Sequence, residues 1–355
     1  MINISNLTLN ELEQYIDSLG EKKFHAKQIF KWIHKLGKTS FDDMSDISKS
    51  LREKLIKDSY IEQLKVIECQ KSKKDGTMKF LLGLNDGCAI ESVFMVYNYG
   101  NTLCISNQVG CKMGCKFCAS TKAGFERNLY ASEIEGQIQA VQKYTSQRIS
   151  NVVYMGIGEP LDNYDNVVKS IRIINSPDGL DIGARHISLS TCGIVPNIYK
   201  LADEKIQATL SISLHATTDE KRREIMPIAN KYTIKEILEA CNYYTKTTGR
   251  RVSFEYALIS GVNDDEKTAR DLARLIHGML AHVNLIPVNS IDETGYKKSN
   301  LANIHKFMDI LNRAGIVTTV RRELGSDIDA ACGQLRRKYI LNQDGKSLIM
   351  KVEDK

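Results

Sequence analysis

Apolar positions in the first sixty residues recur at helical spacing. Leu9, Leu12, Tyr15, Ile16 and Leu19 share one helical face. Thr8-Leu9-Asn10-Glu11 supplies a capping box, with Thr8 at the N-cap and Glu11 at N3, and Gly20 stops the run. A second helix is expected over 24–36. It buries Ile29, Phe30 and Ile33, while Lys27, Lys31 and Lys35 repeat every four residues on another face. A third is expected over 48–56. The period changes over 79–97, where Asn85-Asp86-Gly87 between two apolar runs predicts a β-hairpin. Beyond residue 100, β-rich runs at 103–106, 151–155, 186–190, 208–214, 252–259, 283–287 and 317–320 alternate with helical patterns, among them 132–144, 234–244, 265–277 and 301–312.

Strand–helix alternation predicts parallel strands joined by right-handed crossovers. The number of runs points to a full or partial β/α barrel, an architecture that carries its chemistry at the C-terminal ends of its strands. At 355 residues the chain is long enough for one large domain with an accessory piece, or for two domains. Apolar residues at 42% and charged residues at 26% fit a globular protein and exclude a collagen-like or wholly disordered chain. No apolar run approaches the roughly 18–20 residues of a membrane helix. The N-terminus shows no basic segment followed by an apolar one, so no secretory signal is expected.

The net charge of +6 is localised. Residues 22–57 hold nine Lys and one Arg against four acids, so the remainder is neutral. Such a block is either a solvated helix face or a surface for a polyanionic partner. Nine cysteines without a signal peptide point to the reducing cytoplasm, where Cys patterns mean metal or catalysis more often than disulfides.

Gly110-Cys111-Lys112-Met113-Gly114-Cys115-Lys116-Phe117-Cys118 spaces three thiols as Cys-x3-Cys-x2-Cys. Structural zinc and ferredoxin clusters normally take four ligands, and no nearby fourth Cys or His completes this set. Three readings follow: zinc with a remote fourth ligand, a chance cluster of buried thiols, or an iron–sulfur cluster with one iron left open for a substrate or cofactor. Met155-Gly156-Ile157-Gly158-Glu159-Pro160 follows a predicted strand, and its glycines permit close backbone approach. It lacks the third Gly of a dinucleotide-binding fingerprint. Ser190 and Ser213-Leu214-His215 also end predicted strands. Glu91, a carboxylate among β-formers, either faces solvent or has a specific task.

The thiol spacing, with Phe117 before the last Cys, resembles that of the radical S-adenosylmethionine (SAM) superfamily. Across nearly the whole chain the resemblance narrows to the RlmN/Cfr methyltransferases. It is carried by Lys27-Gln28-Ile29-Phe30-Lys31-Trp32-Ile33, Gly124-Phe125-Glu126-Arg127-Asn128-Leu129, Ser213-Leu214-His215-Ala216, Met226-Pro227-Ile228 and Gly325-Ser326-Asp327-Ile328-Asp329-Ala330-Ala331-Cys332-Gly333-Gln334-Leu335. The resemblance implies an α/β fold: a partial (β/α)6 radical-SAM barrel over 101–325, an N-terminal helical RNA-binding domain over 1–60, a β-hairpin extension over 61–100, and a C-terminal segment, 326–355, carrying a methyl-accepting cysteine.

It also implies one 4Fe-4S cluster per chain on Cys111, Cys115 and Cys118, with SAM on the open iron. Gly158, Glu159, Ser190, Ser213, Leu214, His215 and Asn289 match the family's SAM contacts. The implied reaction methylates C2 of an adenosine in 23S rRNA and uses two SAM. The first methylates Cys332. The second yields a deoxyadenosyl radical that takes hydrogen from that methyl group, and the resulting carbon adds to the base. Glu91 matches the proposed proton acceptor. Cys104 resolves the adduct and forms a transient disulfide with Cys332. Some members also methylate the adenosine beside the tRNA anticodon. The implied electron donor is of flavodoxin or ferredoxin type, in the cytoplasm, with no membrane partner.

Gly158-Glu159-Pro160-Leu161 and Arg321-Arg322-Glu323-Leu324-Gly325 side with C2 rather than C8 methylation. Outside this class stand a non-catalytic RNA-binding iron–sulfur protein and a zinc-ribbon RNA binder.

Overall fold

A computed structural model describes residues 1–122, 124–287, 297–328, 335–336 and 339–340. The expected capping box opens α1 (Leu9–Ser18): Thr8 Oγ1 accepts from the Glu11 N–H, and Glu11 accepts from the Thr8 N–H at 2.7 Å. α2 (Phe24–Phe30) runs on into a π-helical turn over Lys31–Lys35, and Ser48 caps α3 (Lys49–Asp58). β1 (Ile2–Asn3) pairs in parallel with β2 (Ser59–Tyr60) and closes this unit. Leu12, Ile16, Ile29, Phe30 and Leu51 form its core, joined by Ala131 and Ile173 from beyond residue 100. Docking uses part of the basic block: Lys27 pairs with Asp178 at 3.2 Å and Lys35 donates to the Pro177 carbonyl at 3.0 Å, while Lys31 stays exposed.

Ten strands make one sheet. β3 (Lys65–Lys71), β4 (Met78–Gly83) and β5 (Ala89–Tyr97) form an antiparallel meander that continues into β6 (Gly100–Cys104). The expected hairpin is therefore two strands of a three-stranded wall of the main sheet. β7 (Gln108–Gly110) and β8 (Phe125–Asn128) form a separate short ladder. From β6 onward the main sheet is parallel, through β9 (Asn151–Tyr154), β10 (Ile187–Thr191), β11 (Thr209–Ser213), β12 (Val252–Leu258), β13 (Ala281–Pro287) and β14 (Thr318–Val320). Six crossovers link these seven strands, through α4 (Ala131–Thr145), α5 (Tyr164–Asn175), α6 (Val195–Asp203), α7 (Asp219–Ile225) with α8 (Ile234–Thr248), α9 (Glu266–Leu275) and α10 (Leu301–Arg313). The alternation predicted a full or partial β/α barrel, and the (β/α)6 arrangement is the one the family resemblance implied.

The two faces of the sheet differ in kind. Leu103, Val152, Tyr154, Leu189, Ile212 and Phe254 point toward the helices and form the main core. Alternation along each strand turns their neighbours to the other face. There stand Cys104, Val153, Ser190, Ser211, Ser213, Ser253, Glu255 and Asn284, a mostly polar lining. The outer strands β3 and β14 are not paired with each other. The seam between them is bridged by loops: Asp75 accepts from the Gly325 N–H at 2.8 Å, and Asp327 accepts from Ser72 and the Lys73 N–H. Among the described residues no helix is long and apolar enough to cross a membrane.

Candidate active site

The three motif cysteines share a loop framed by the β7–β8 ladder. Gly110 has φ +78, and a Cβ there would lie 1.8 Å from the Gly124 carbonyl oxygen, so only glycine fits. The Cys111 N–H donates to that same carbonyl at 3.1 Å. The far side of the loop rests on the chain after β11: the Lys116 N–H donates to the Ile225 carbonyl at 3.0 Å, and Gly114 packs on Pro227. Cys115, Cys192, Ile225 and Met226 form a small apolar cluster there, with Met113, Phe117 and Cys118 against it. This packing gives the Met226-Pro227-Ile228 motif its structural task.

Burial pushes the Cys111 thiol up to about 12, and the nearby Cys118, Glu159 and Asp162 add to the effect. Burial also drives Cys115 far above the ordinary thiol range, followed by the charges of Cys118 and Cys111. The thiols thus oppose one another's ionisation, and a cation among them would relieve that opposition. Among the described residues no three His, Cys, Asp or Glu side chains are gathered as a metal-holding set. The donor chemistry nevertheless fits an iron–sulfur cluster: three soft thiols on one glycine-hinged loop, in a largely apolar wall.

The strand ends above this loop carry the candidate SAM contacts. Gly158 has φ +109, and a Cβ would meet Gln108 at 2.6 Å. Glu159 is buried. Its carboxylate accepts from the Leu161 N–H at 3.0 Å and the Cys192 N–H at 2.7 Å, which ties the end of β9 to the end of β10. Burial raises its pKa, and these hydrogen bonds oppose the rise. Ser190 is half-buried and pairs in register with Ser211, as Ser213 does with Glu255. The Leu214 side chain lies in the core, its N–H donates to the Glu255 carbonyl at 3.1 Å, and its carbonyl accepts from the Ala216 N–H at 2.8 Å. His215 adopts φ +59. Its Nδ1 accepts from the Ala257 N–H at 2.9 Å, leaving the ring proton on Nε2. Burial, then Arg222 and Arg321, lower its pKa to about 3, so the ring is neutral. It meets Phe117 edge-on at 4.8 Å, which joins the cysteine loop to the rim of the sheet.

Glu91 and Cys104 lie on the polar face of the antiparallel wall. Val93 pairs with Cys104, and the Ser106 hydroxyl donates to the Glu91 carbonyl at 2.7 Å. That register makes Glu91 and Cys104 diagonal neighbours on one face, about 7–8 Å apart. Glu91 does not face solvent. It is 3% exposed and pairs with the fully buried Lys79 at 2.9 Å. The Arg336 N–H donates to its other oxygen at 2.5 Å, and the Arg336 guanidinium binds the Ala89 carbonyl and Glu126. Leu335 packs against Leu81 and Ala89. Cys332 and Asn289 lie outside the described residues.

Two buried cations of this region were not singled out from the sequence. Lys79 was findable, since counting outward from Asn85-Asp86-Gly87 sets Leu81 opposite Glu91 and Lys79 one diagonal step away. Arg222 was not, because Lys221 and Arg223 beside it look the same. It is completely buried between the cysteine loop and the ends of β10 and β11.

Comparison with known proteins agrees with this geometry. Residues 2–61 match the family described as ribosomal RNA large subunit methyltransferase N-terminal domain, and residues 105–273 match the radical SAM superfamily. A protein of Clostridium novyi (strain NT), named probable dual-specificity RNA methyltransferase RlmN, is 56% identical over 342 residues, covering 96% of this chain and 100% of its own length. A protein of the same name from Clostridium perfringens (strain SM101 / Type A) is 57% identical over 340 residues, covering 96% and 98%. The crystal structure of a radical SAM methyltransferase from Sphaerobacter thermophilus superposes with a TM-score of 0.88 at 40% identity, covering 94% of this chain and 99% of that one.

Proposed function

This chain belongs to the RlmN family of radical SAM RNA methyltransferases, and from that premise we propose that it methylates C2 of a specific adenosine in 23S rRNA through a methylated Cys332. The adenosine beside the tRNA anticodon is included as a second target. The observation that carries the reading is the shared polar face. Glu91 and Cys104 are diagonal neighbours on it, and Leu335 and Arg336, which follow Cys332 by three and four residues, pack against the same wall.

A 4Fe-4S cluster held by Cys111, Cys115 and Cys118, with SAM on it, supplies the one-electron chemistry that activates a methyl C–H bond. The chain's own residues do the rest. Gly158, Glu159, Ser190, Ser213, Leu214, neutral His215 and Asn289 orient SAM. The Cys332 thiolate accepts a methyl group by displacement. The Cys332 methylene carbon bonds to C2, the adduct gives one electron back to the centre that supplied it, and a carboxylate at Glu91, held in place by Lys79, accepts the C2 proton. The Cys104 thiolate then attacks the Cys332 sulfur. The sulfur–carbon bond breaks, the methylated base leaves, and a disulfide remains for cellular reductant to reset. That need, with the one-electron donor, fits a reducing cytoplasm. The exposed lysines of the N-terminal unit neutralise RNA phosphates, and the target base is extracted from its stack.

The test is to incubate the reduced, anaerobic protein with an unmodified 23S rRNA fragment and SAM bearing a fully deuterated methyl group, then analyse nucleosides by mass spectrometry. A C2 methyl with two deuterons is expected, because one deuteron leaves with deoxyadenosine and one proton enters from solvent. Three retained deuterons would mean direct transfer and would overturn the cysteine route. Label at C8 would overturn the C2 assignment.

A further inference from the structure

Arg222 is a buried cation that forms no ion pair among the described residues. Its side chain is fully inaccessible, and no carboxylate lies within 4.0 Å among the described residues. Its guanidinium instead donates to three carbonyls at the strand ends: Nη2 to Cys192 at 2.6 Å and Ser213 at 3.2 Å, and Nε to Leu214 at 3.2 Å. Nη1 is buried and makes no hydrogen bond. Carbonyl dipoles satisfy donors but do not neutralise a full charge, and the cost of burying such a charge is met only when a negative group stands nearby.

The groups that feel this charge identify the missing partner. Its guanidinium binds the Cys192 carbonyl, Cys192 packs with Cys115 in one apolar cluster, and its charge also reaches Asp219 and His215. Arg222 sits on α7, whose last residue, Ile225, accepts a hydrogen bond from Lys116 in the cysteine loop. The loop and the cation are thus one packed unit. The anion best placed to compensate Arg222 is whatever the thiolates of that loop hold.

We propose that Arg222 is a positioning residue for the electrostatics of the iron–sulfur centre: its buried charge stabilises the reduced, more negative cluster and raises its reduction potential. This rests on Cys111, Cys115 and Cys118 holding a 4Fe-4S cluster. The electron comes from the external one-electron donor, and Arg222 neither gains nor loses a proton. Reduction adds a negative charge in a low-dielectric wall, and a fixed cation there lowers the free energy of the reduced form.

The test compares Arg222→Gln, which keeps hydrogen-bond donors but loses the charge, with Arg222→Lys, which keeps the charge but loses the planar fork. Each protein is reconstituted with iron and sulfide under anaerobic conditions. Iron and sulfide content are measured, and the midpoint potential is read by electron paramagnetic resonance during a redox titration. Arg222→Gln is expected to load its cluster and titrate at a more negative potential, with Arg222→Lys close to wild type. Equal potentials in wild type and Arg222→Gln would overturn the proposal. So would a shift shared equally by both variants, since a mere structural staple gives that result. If Arg222→Gln does not fold, Arg222→Lys decides alone: a lowered melting temperature with an unchanged potential supports a role of charge, and a displaced potential overturns it. Absence of iron and sulfide from the wild-type protein would instead sink the cluster assignment beneath it.

Discussion

Lys79 and Arg222 are both fully buried cations, and the chain treats them in opposite ways. On the antiparallel wall, Lys79 has its counter-ion in the chain itself, with Glu91 at 2.9 Å. Beside the cysteine loop, the hydrogen-bond partners of Arg222 among the described residues are carbonyl oxygens. The first region is electrostatically complete on folding, so its geometry is fixed without a guest. The second holds a positive charge in reserve. The comparison separates a wall whose buried carboxylate is held by a buried lysine from a wall whose buried cation meets carbonyl oxygens.

The largest expected effect breaks the complete pair. Glu91→Ala leaves Lys79 buried and uncompensated and should cost about 3–5 kcal/mol in urea unfolding. The double variant Lys79→Met, Glu91→Leu should recover most of that stability while abolishing methylation. Equal losses in single and double variants would mean that the wall does not depend on charge balance. Arg222→Met in the metal-free protein should cost less, about 1–3 kcal/mol, because three carbonyls lose a donor but no charge is orphaned. A loss as large as that of Glu91→Ala would show that Arg222 already has a counter-ion, and the contrast would fall.

His215 reports the field of Arg222 through pH. Its folded pKa, about 3, lies below its ordinary value of 6.5, chiefly through burial and then through Arg222 and Arg321. The unfolded chain takes up a proton that the folded chain refuses. Its contribution to stability is therefore complete above pH 6.5 and is lost progressively as pH falls toward 3. His215→Gln should flatten the wild-type decline of stability across that window, and Arg222→Gln should flatten it in part. Identical slopes in all three proteins would remove His215 as the reporter. The smallest effect is a control far from both cations. Thr8→Ala removes the α1 cap, should cost about 1 kcal/mol, and should add to any of the changes above.

Much of this was legible before any coordinates. The capping box at Thr8 and Glu11, the hairpin turn and all seven parallel strands follow from local periodicity and turn chemistry, which act over a few residues. Local signals failed where sequence-distant groups meet. Lys27 and Lys35 read as a free basic face, yet they dock the helical unit at residues 177–178. Glu91 offered two faces, and only the pairing of β4, β5 and β6 turned it inward beside Cys104. Glu159 matched a SAM contact, and in the fold its carboxylate staples the ends of β9 and β10.

The sequence by itself determined the chemistry available to this protein. Thiol spacing, glycine placement and strand–helix alternation are covalent or short-range properties, and they already specify the family. Only the tertiary structure decided which charges would be paired. Burial and counter-ion distance depend on contacts between residues far apart in the chain: Glu91 gained Lys79 and Arg336, whereas Arg222 gained carbonyls and the cysteine loop. In a low-dielectric interior that difference in neighbours, invisible in Lys221-Arg222-Arg223, separates an ion pair from a charge held by carbonyl dipoles.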